Sequence, residues 1–134
     1  MWNFKHTKYF LLCTSIFLLI NSCTEEKQIA INPAIIPAPS FQQINNGIFE
    51  MSNATGISSD DEFKQVADFL KSYIEYGSKI KLKSEDYRNV INFKKDASIT
   101  NEEGYQLKVT SNEITISASS AKGAFYAVQS LRHL

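Results

Sequence analysis

Residues 105–118 read Tyr105-Gln106-Leu107-Lys108-Val109-Thr110-Ser111-Asn112-Glu113-Ile114-Thr115-Ile116-Ser117-Ala118, two alternating runs around a short polar pair. With Ser111-Asn112 as the loop, Thr110 lies opposite Glu113. Val109 then meets Ile114, Leu107 meets Ile116 and Tyr105 meets Ala118. Lys108 faces Thr115 and Gln106 faces Ser117 on the other side, so apolar residues pair only with apolar partners. A slip of one residue would send every apolar side chain to the polar face, so the spacing specifies the register of an antiparallel hairpin. Asn-Gly would be a stronger loop signal than Ser-Asn, and the alternation carries the reading.

Beyond the hairpin a helix is expected to open near Ser119 or Ser120. Ala121, Ala124, Phe125, Val128 and Leu131 supply its apolar spacing, and Ala121, Gly123 and Ala124 are small enough for close approach to a neighbour. No terminating glycine or proline precedes Leu134, so the helix reads as interrupted and the chain as truncated.

Before the hairpin, Ile80 and Leu82 alternate with Lys79, Lys81 and Lys83, which reads as a half-buried strand with a wet lysine face. Tyr87, Asn89, Ile91 and Phe93 share one face of the next expected strand. A helix is expected over residues 59–76. Ser59 and Glu62 have the spacing of a capping box, and Asp60 and Asp61 complement the positive end of the helix dipole. Phe63, Val66, Ala67, Leu70, Tyr73 and Ile74 line one face, and Gly77 is the expected stop. Further back, Gly47-Ile48-Phe49-Glu50-Met51 reads as a short strand. Ile35-Ile36-Pro37-Ala38-Pro39 reads as an extended opening strand or edge, because its prolines fix φ and push their predecessors to extended conformations. The class that results is α+β, an antiparallel sheet with two helices packed on one face.

The front of the chain is of a different kind. Lys5, His6 and Lys8 precede an apolar run from Tyr9 through Ile20, interrupted only by Thr14 and Ser15. That run has the length of a signal h-region and falls short of the roughly 20 residues that span a bilayer. It ends in Leu19-Ile20-Asn21-Ser22-Cys23, with a branched residue three places before a cysteine and a small residue directly before it. This resembles a bacterial lipobox. It implies a lipoprotein signal over residues 1–22, lipid attachment at Cys23, a lipidated tether over 23–33 and the α+β domain over 34–134. The expected location is the cell envelope, on the periplasmic face or the outer surface of the outer membrane, and Glu25-Glu26 resembles an acidic export tag. A plain secretory signal with an incidental cysteine, a retained membrane helix and an ordinary solvated linker remain the competing readings.

The charges, 14 basic and 14 acidic, balance to zero and form no basic patch, which argues against a nucleic-acid partner. Of the two cysteines, Cys13 falls in the signal and Cys23 at its end, so no disulfide, thiolate metal site or cysteine nucleophile is expected in the domain. The sequence holds no phosphate-binding glycine loop, metal constellation or nucleophile–base pair, and neither cofactor nor metal is expected.

Taken together, Ile35-Ile36-Pro37-Ala38-Pro39, Gly104-Tyr105-Gln106-Leu107-Lys108-Val109, Ile114-Thr115-Ile116-Ser117-Ala118 and Gly123-Ala124-Phe125-Tyr126-Ala127-Val128-Gln129-Ser130-Leu131 resemble the N-terminal non-catalytic domain of β-N-acetylhexosaminidases of glycoside hydrolase family 20. Related domains precede the barrels of O-GlcNAcase-like enzymes and α-glucuronidases. The resemblance implies an antiparallel sheet with two helices on one face, set before a (β/α)8 barrel of about 250 residues that carries the active site. It also implies hydrolysis of terminal N-acetyl-hexosamine by an Asp-Glu pair in a His-x-Gly-Gly-Asp-Glu motif, with amino-sugar glycans as substrates.

That motif does not occur here. Asp61-Glu62, the sole Asp-Glu dipeptide, reads as first-turn helix charge, so no catalytic residue is assigned. Tyr126, Arg132 and His133 carry no catalytic role, and His6 belongs to the signal. The expectation is an exported lipoprotein domain, inactive alone, whose partners are the membrane through its lipid and a missing or separately encoded catalytic barrel. Phe125, Val128 or nearby residues are expected to expose apolar surface for that barrel. The alternative is a surface glycan-binding or accessory lipoprotein. Tyr73, Tyr76, Tyr87, Tyr105 and Tyr126 could then stack on sugars, although most fall on apolar faces and read as core.

Overall fold

The computed structural model describes residues 34–36 and 38–134, so the signal over 1–22, Cys23 and the tether over 23–33 lie outside the described residues. Strand β1 spans Thr55–Ser59, a 3-10 turn Asp61–Phe63 and helix α1 Lys64–Ser78. Strands β2, β3 and β4 span Asn89–Lys95, Tyr105–Val109 and Glu113–Ala118, and helix α2 spans Ala121–Leu131.

The hairpin forms in the expected register. Tyr105 pairs with Ala118, Leu107 with Ile116 and Val109 with Ile114. Neither Ser111 nor Asn112 has a positive φ, so the primed hairpin turns are not used. Thr110 closes the end instead: its Oγ1 accepts from the Glu113 N–H at 3.0 Å and donates to the Glu113 carbonyl at 2.9 Å.

The sheet order is β1-β2-β4-β3. The α+β class, single sheet and two helices are as expected, but only β3 and β4 pair antiparallel. β1 runs parallel to β2, and β2 parallel to β4, so the sheet is mixed. The cause is connectivity. Helix α1 separates β1 from β2, which allows the return needed for a parallel pair. The loop after β2 carries β3 to the far edge, and the tight hairpin then inserts β4 beside β2.

Strand β1 replaces the expected helix start. Asp60 donates its N–H to the Phe93 carbonyl at 3.1 Å and accepts from the Lys95 N–H at 2.7 Å, which extends the pairing instead of capping a helix. The Ser59–Glu62 capping box does not form, and Glu62 instead pairs with Lys95. Gly77 lies inside α1; the stop is Lys79, at φ 64°, supported by Ser78 Oγ, which donates to the Ile74 carbonyl and accepts from the Ile80 N–H.

Residues 79–83 are not a strand. They keep the expected alternation, with Leu82 buried and the lysines exposed, yet pair with the sheet backbone only where Lys83 bridges Gly56. That contact occupies part of the outer edge of β1. Residues 47–51 and the described part of 35–39 likewise form no strand. Phe49 and Met51 still pack on the core, and the Asn89 side-chain amide donates to the Glu50 carbonyl at 2.8 Å.

Both helices cover the face that carries Ile91, Phe93, Ile114, Ile116 and Ala118. Phe63, Leu70, Ile91, Phe93, Ile116 and Val128 are fully enclosed, and each such side chain contributes about 1.5–3 kcal/mol by leaving water. Ser120 caps α2 by accepting from the N–H groups of Lys122 and Gly123. The buried face of α2 is Gly123, Ala124, Ala127, Val128 and Ser130; Ala121 and Phe125 lie outside it. Gly123 makes the close approach possible, since a Cβ there would sit 2.3 Å from the Gly104 carbonyl oxygen.

Candidate interaction surface

The outward side of the two helices carries aromatic residues beside the buried stripe. On α1, Phe69, Tyr73 and Tyr76 recur at i, i+4 and i+7, which places them along one line of the helix surface. On α2, Phe125 and Tyr126 follow the buried Gly123-Ala124 pair. Phe69 and Phe125 meet across the seam with ring centroids 5.7 Å apart, and Tyr126 stands edge-on to Phe125 at 6.4 Å. The Arg132 guanidinium covers the Tyr73 ring at 4.2 Å and donates to Gln129 Oε1 at 2.7 Å. Phe69, Tyr73, Phe125 and Tyr126 each keep between 41% and 47% of their surface in water. Isolated exposed apolar residues are ordinary; four aromatic rings on neighbouring helices form the kind of patch that a partner covers.

Several expectations are corrected here. Phe125 is exposed as anticipated, but Val128 is wholly enclosed and offers nothing to a partner. Tyr73, Tyr76, Tyr87 and Tyr126 are exposed instead of core residues, because each lies beside the buried stripe of its element or outside it. Tyr105 alone of the five is held inward, its hydroxyl 2.5 Å from Ser130 Oγ. Tyr87 precedes β2 and does not share the core face with Asn89, Ile91 and Phe93; its ring lies against Gly56 on the opposite side of the sheet. The sequence signal for the patch is present in the i, i+4, i+7 spacing of Phe69, Tyr73 and Tyr76, of which Tyr73 alone is expected on the buried face.

The sheet face turned away from the helices is polar. Pairing places Ser58, Asn92, Thr115 and Lys108 in one row across four strands, with Val90 and Glu113 in the adjacent row. Glu113 Oε1 accepts from the Asn92 side-chain amide and from Lys94 Nζ, each at 3.1 Å. These bonds, the Asn92 amide foremost, hold the Glu113 carboxyl below its ordinary range against partial desolvation.

Asp61 and Glu62 lie exposed in the 3-10 turn, with Glu62 paired to Lys95. Among the described residues no group of three or more His, Cys, Asp or Glu side chains could hold a metal ion, and no helix is long and apolar enough to cross a membrane.

Residues 32–134 match the family described as glycosyl hydrolase family 20, domain 2. A curated beta-hexosaminidase of Porphyromonas gingivalis is 30% identical across an alignment that covers 91% of this chain and 17% of that protein. Among solved structures, the exo-beta-N-acetylglucosaminidase of Vibrio harveyi, in complex with N-acetylglucosamine, matches with a TM-score of 0.66 and 24% identity. That match covers 76% of this chain and 16% of the other. The beta-N-acetylhexosaminidase of Streptomyces coelicolor matches with a TM-score of 0.58 and 26% identity, over 73% of this chain and 20% of that one. The chain therefore spans less than a fifth of the curated relative it matches.

Proposed function

We propose a role that proceeds from the family: the chain belongs to glycosyl hydrolase family 20, of which it carries domain 2, and this domain serves as the non-catalytic companion of a sugar-cleaving barrel. The observation that carries the role is the aromatic patch on the helix pair. Phe69, Tyr73, Phe125 and Tyr126 expose apolar rings that the domain does not use in its own core, and a barrel docked there would bury them. The barrel, on the same polypeptide or another, would supply the Asp-Glu pair and the hydrolysis of terminal N-acetyl-hexosamine residues. The sequence supplies no equivalent pair of its own.

The reading includes an envelope location. Cys23 at the end of the apolar run is the proposed site of lipidation, and two or more acyl chains there would anchor the domain stably. Metabolic labelling with palmitate tests this part: label on the wild type and none on Cys23→Ser is the expected pattern.

The catalytic assignment is tested with an aryl N-acetyl-glucosaminide. The purified chain is expected to release no chromophore. Release that persists in Asp61→Asn and in Glu62→Gln would place chemistry in this domain and defeat the companion role. The docking surface is tested with a dye that fluoresces on exposed apolar surface: Phe125→Ser should remove most of the signal, and an unchanged signal would move the patch elsewhere.

A further inference from the structure

We propose that the sheet face turned away from the helices binds a neutral glycan chain, with Tyr87 as the stacking ring and Ser58, Asn92 and Thr115 as groups that read hydroxyls. The inference concerns a surface separate from the helix patch and stands whether or not a barrel docks there.

The side-chain chemistry of this face narrows the ligand. Ser58, Asn92, Thr115 and Lys108 form one cross-strand row, and Lys94, Ser117 and Gln106 form the next. Strands lie about 4.8 Å apart, so a row across four strands is roughly as long as a short oligosaccharide. Val90, in the row beside them, is the sole large aliphatic side chain on these strands' outer face, so a ligand there gains little from apolar burial and must be held through polar groups. The charges nearly cancel, since Glu113 holds Lys94 and only Lys108 is left over in the rows. A membrane surface or a nucleic acid would need a stronger positive field. Amides and hydroxyls fixed on a rigid sheet, with little net charge, match a polyhydroxylated neutral ligand.

The second observation is the placement of Tyr87. A Cβ on Gly56 would lie 2.2 Å from Tyr87 Cδ1 and 2.3 Å from Cγ, so glycine at 56 is what lets the ring rest on the strand. The ring borders the polar rows and keeps 40% of its surface in water. An aromatic ring braced on one side and wet on the other, beside hydrogen-bonding groups, can stack against the C–H face of a pyranose while its neighbours bind the hydroxyls. Asn92 is itself oriented by its bond to Glu113, which leaves its carbonyl oxygen directed by the same contact.

The test uses the full chain, chitotetraose and cellotetraose, with binding read by calorimetry and by amide chemical-shift mapping. The choice of an N-acetylated probe follows from the family, whereas the face itself calls only for a neutral glycan. Saturable binding of either probe is expected, with shifts at Ser58, Asn92 and Thr115. Tyr87→Ala and Asn92→Ala should each weaken binding about tenfold, which corresponds to roughly 1.4 kcal/mol, while Phe125→Ser leaves it unchanged. Thermal melts of each variant establish that the domain is folded, and the shift map on the wild type decides the location without any variant. Silence with both probes, or shifts confined to the helices, overturns the inference and leaves the companion role untouched.

Discussion

Two glycines in the helices should respond in opposite ways to the same substitution. In a helix interior alanine is favoured over glycine by about 0.8–1.0 kcal/mol, so propensity alone predicts that Gly77→Ala and Gly123→Ala both stabilise. Around Gly77 nothing lies within 4 Å of a built Cβ, so the full gain should appear there. At Gly123 the Cβ would meet the Gly104 carbonyl oxygen at 2.3 Å and Ala118 Cβ at 3.3 Å. The first contact is with backbone, so it cannot be relieved by a rotamer change. The start of α2 would have to move off the loop over residues 101–104. That movement stretches two bonds that hold it, Ser120 Oγ to the Glu102 carbonyl at 2.8 Å and Ser119 Oγ to the Asn101 carbonyl at 3.3 Å. Overpacking costs about 1–3 kcal/mol and each bond about 0.5–1.5 kcal/mol, against the gain of about 1 kcal/mol from propensity. The net expectation is a loss of about 3 kcal/mol. For a domain of this size that lowers the melting temperature by roughly 15 °C, while Gly77→Ala raises it by roughly 5 °C. Circular dichroism melts of the two variants check both signs. If Gly123→Ala melts as high as Gly77→Ala, the close approach of α2 to the loop is wrong.

Thr110→Val removes both side-chain bonds at the hairpin end, leaves the Thr110 N–H on the Glu113 carbonyl, and should lower stability by about 1 kcal/mol despite the better β-propensity of valine, as read from urea midpoints. Tyr105→Phe leaves the buried Ser130 hydroxyl without its 2.5 Å partner and should cost about 1–2 kcal/mol. Adding Ser130→Ala should recover part of that loss, and an additive double variant would mean that the two groups do not interact. Glu113 has a folded-state pKa below its ordinary 4.5, so the stability it contributes is full above that value and fades as pH falls through the lower one. Melts from pH 6 to pH 3 should therefore show the gap between wild type and Glu113→Gln narrowing below about pH 4.5, and a constant gap refutes the coupling.

The parts of the fold that could be read from the sequence are those whose partners are near in the chain. The register of β3 and β4 follows from alternation across a two-residue loop, and the structure reproduces it pair by pair. The buried face of α1 was legible in Val66, Ala67, Leu70 and Ile74, and so was the buried Phe63 of the turn before it. Strand β1 was not, because Thr55-Gly56-Ile57-Ser58-Ser59 has weak local preference and is held by distant pairing with β2. Ser59 looked like a helix cap because the capping-box spacing is real. The ladder to Phe93 and Lys95 claims the chain at Asp60 and the competition goes to the sheet. Parallel pairing was invisible for the same reason: strand direction depends on where a crossover returns, and no local pattern encodes that. On the helices the error was angular. Tyr73 was placed with the core because it sits one position from Ile74, and only the packing shows which side of the stripe is wet.

Those misplaced aromatics are also what distinguishes the two surfaces of the domain. A helix needs one apolar stripe to seal a sheet, and here Leu70, Ile74, Ala124, Ala127 and Val128 already do so with little or no exposure. Phe69, Tyr73, Phe125 and Tyr126 add ring contacts among themselves at 5.7 Å and 6.4 Å but leave two-fifths or more of each residue in water. Rings that complete neither the core nor a polar surface are what the proposed docked barrel would cover. The opposite face lacks that excess: apart from Val90 and the Tyr87 ring at its edge, its side chains are amides, hydroxyls, Lys108 and a matched ion pair, which water can satisfy without a partner. A domain with one apolar side and one polar side is therefore suited to sit against another body by its helices while its sheet stays in water. That arrangement keeps the sheet face open to ligands when the helix face is covered, so covering the patch and occupying the sheet should be independent events in the assembled protein.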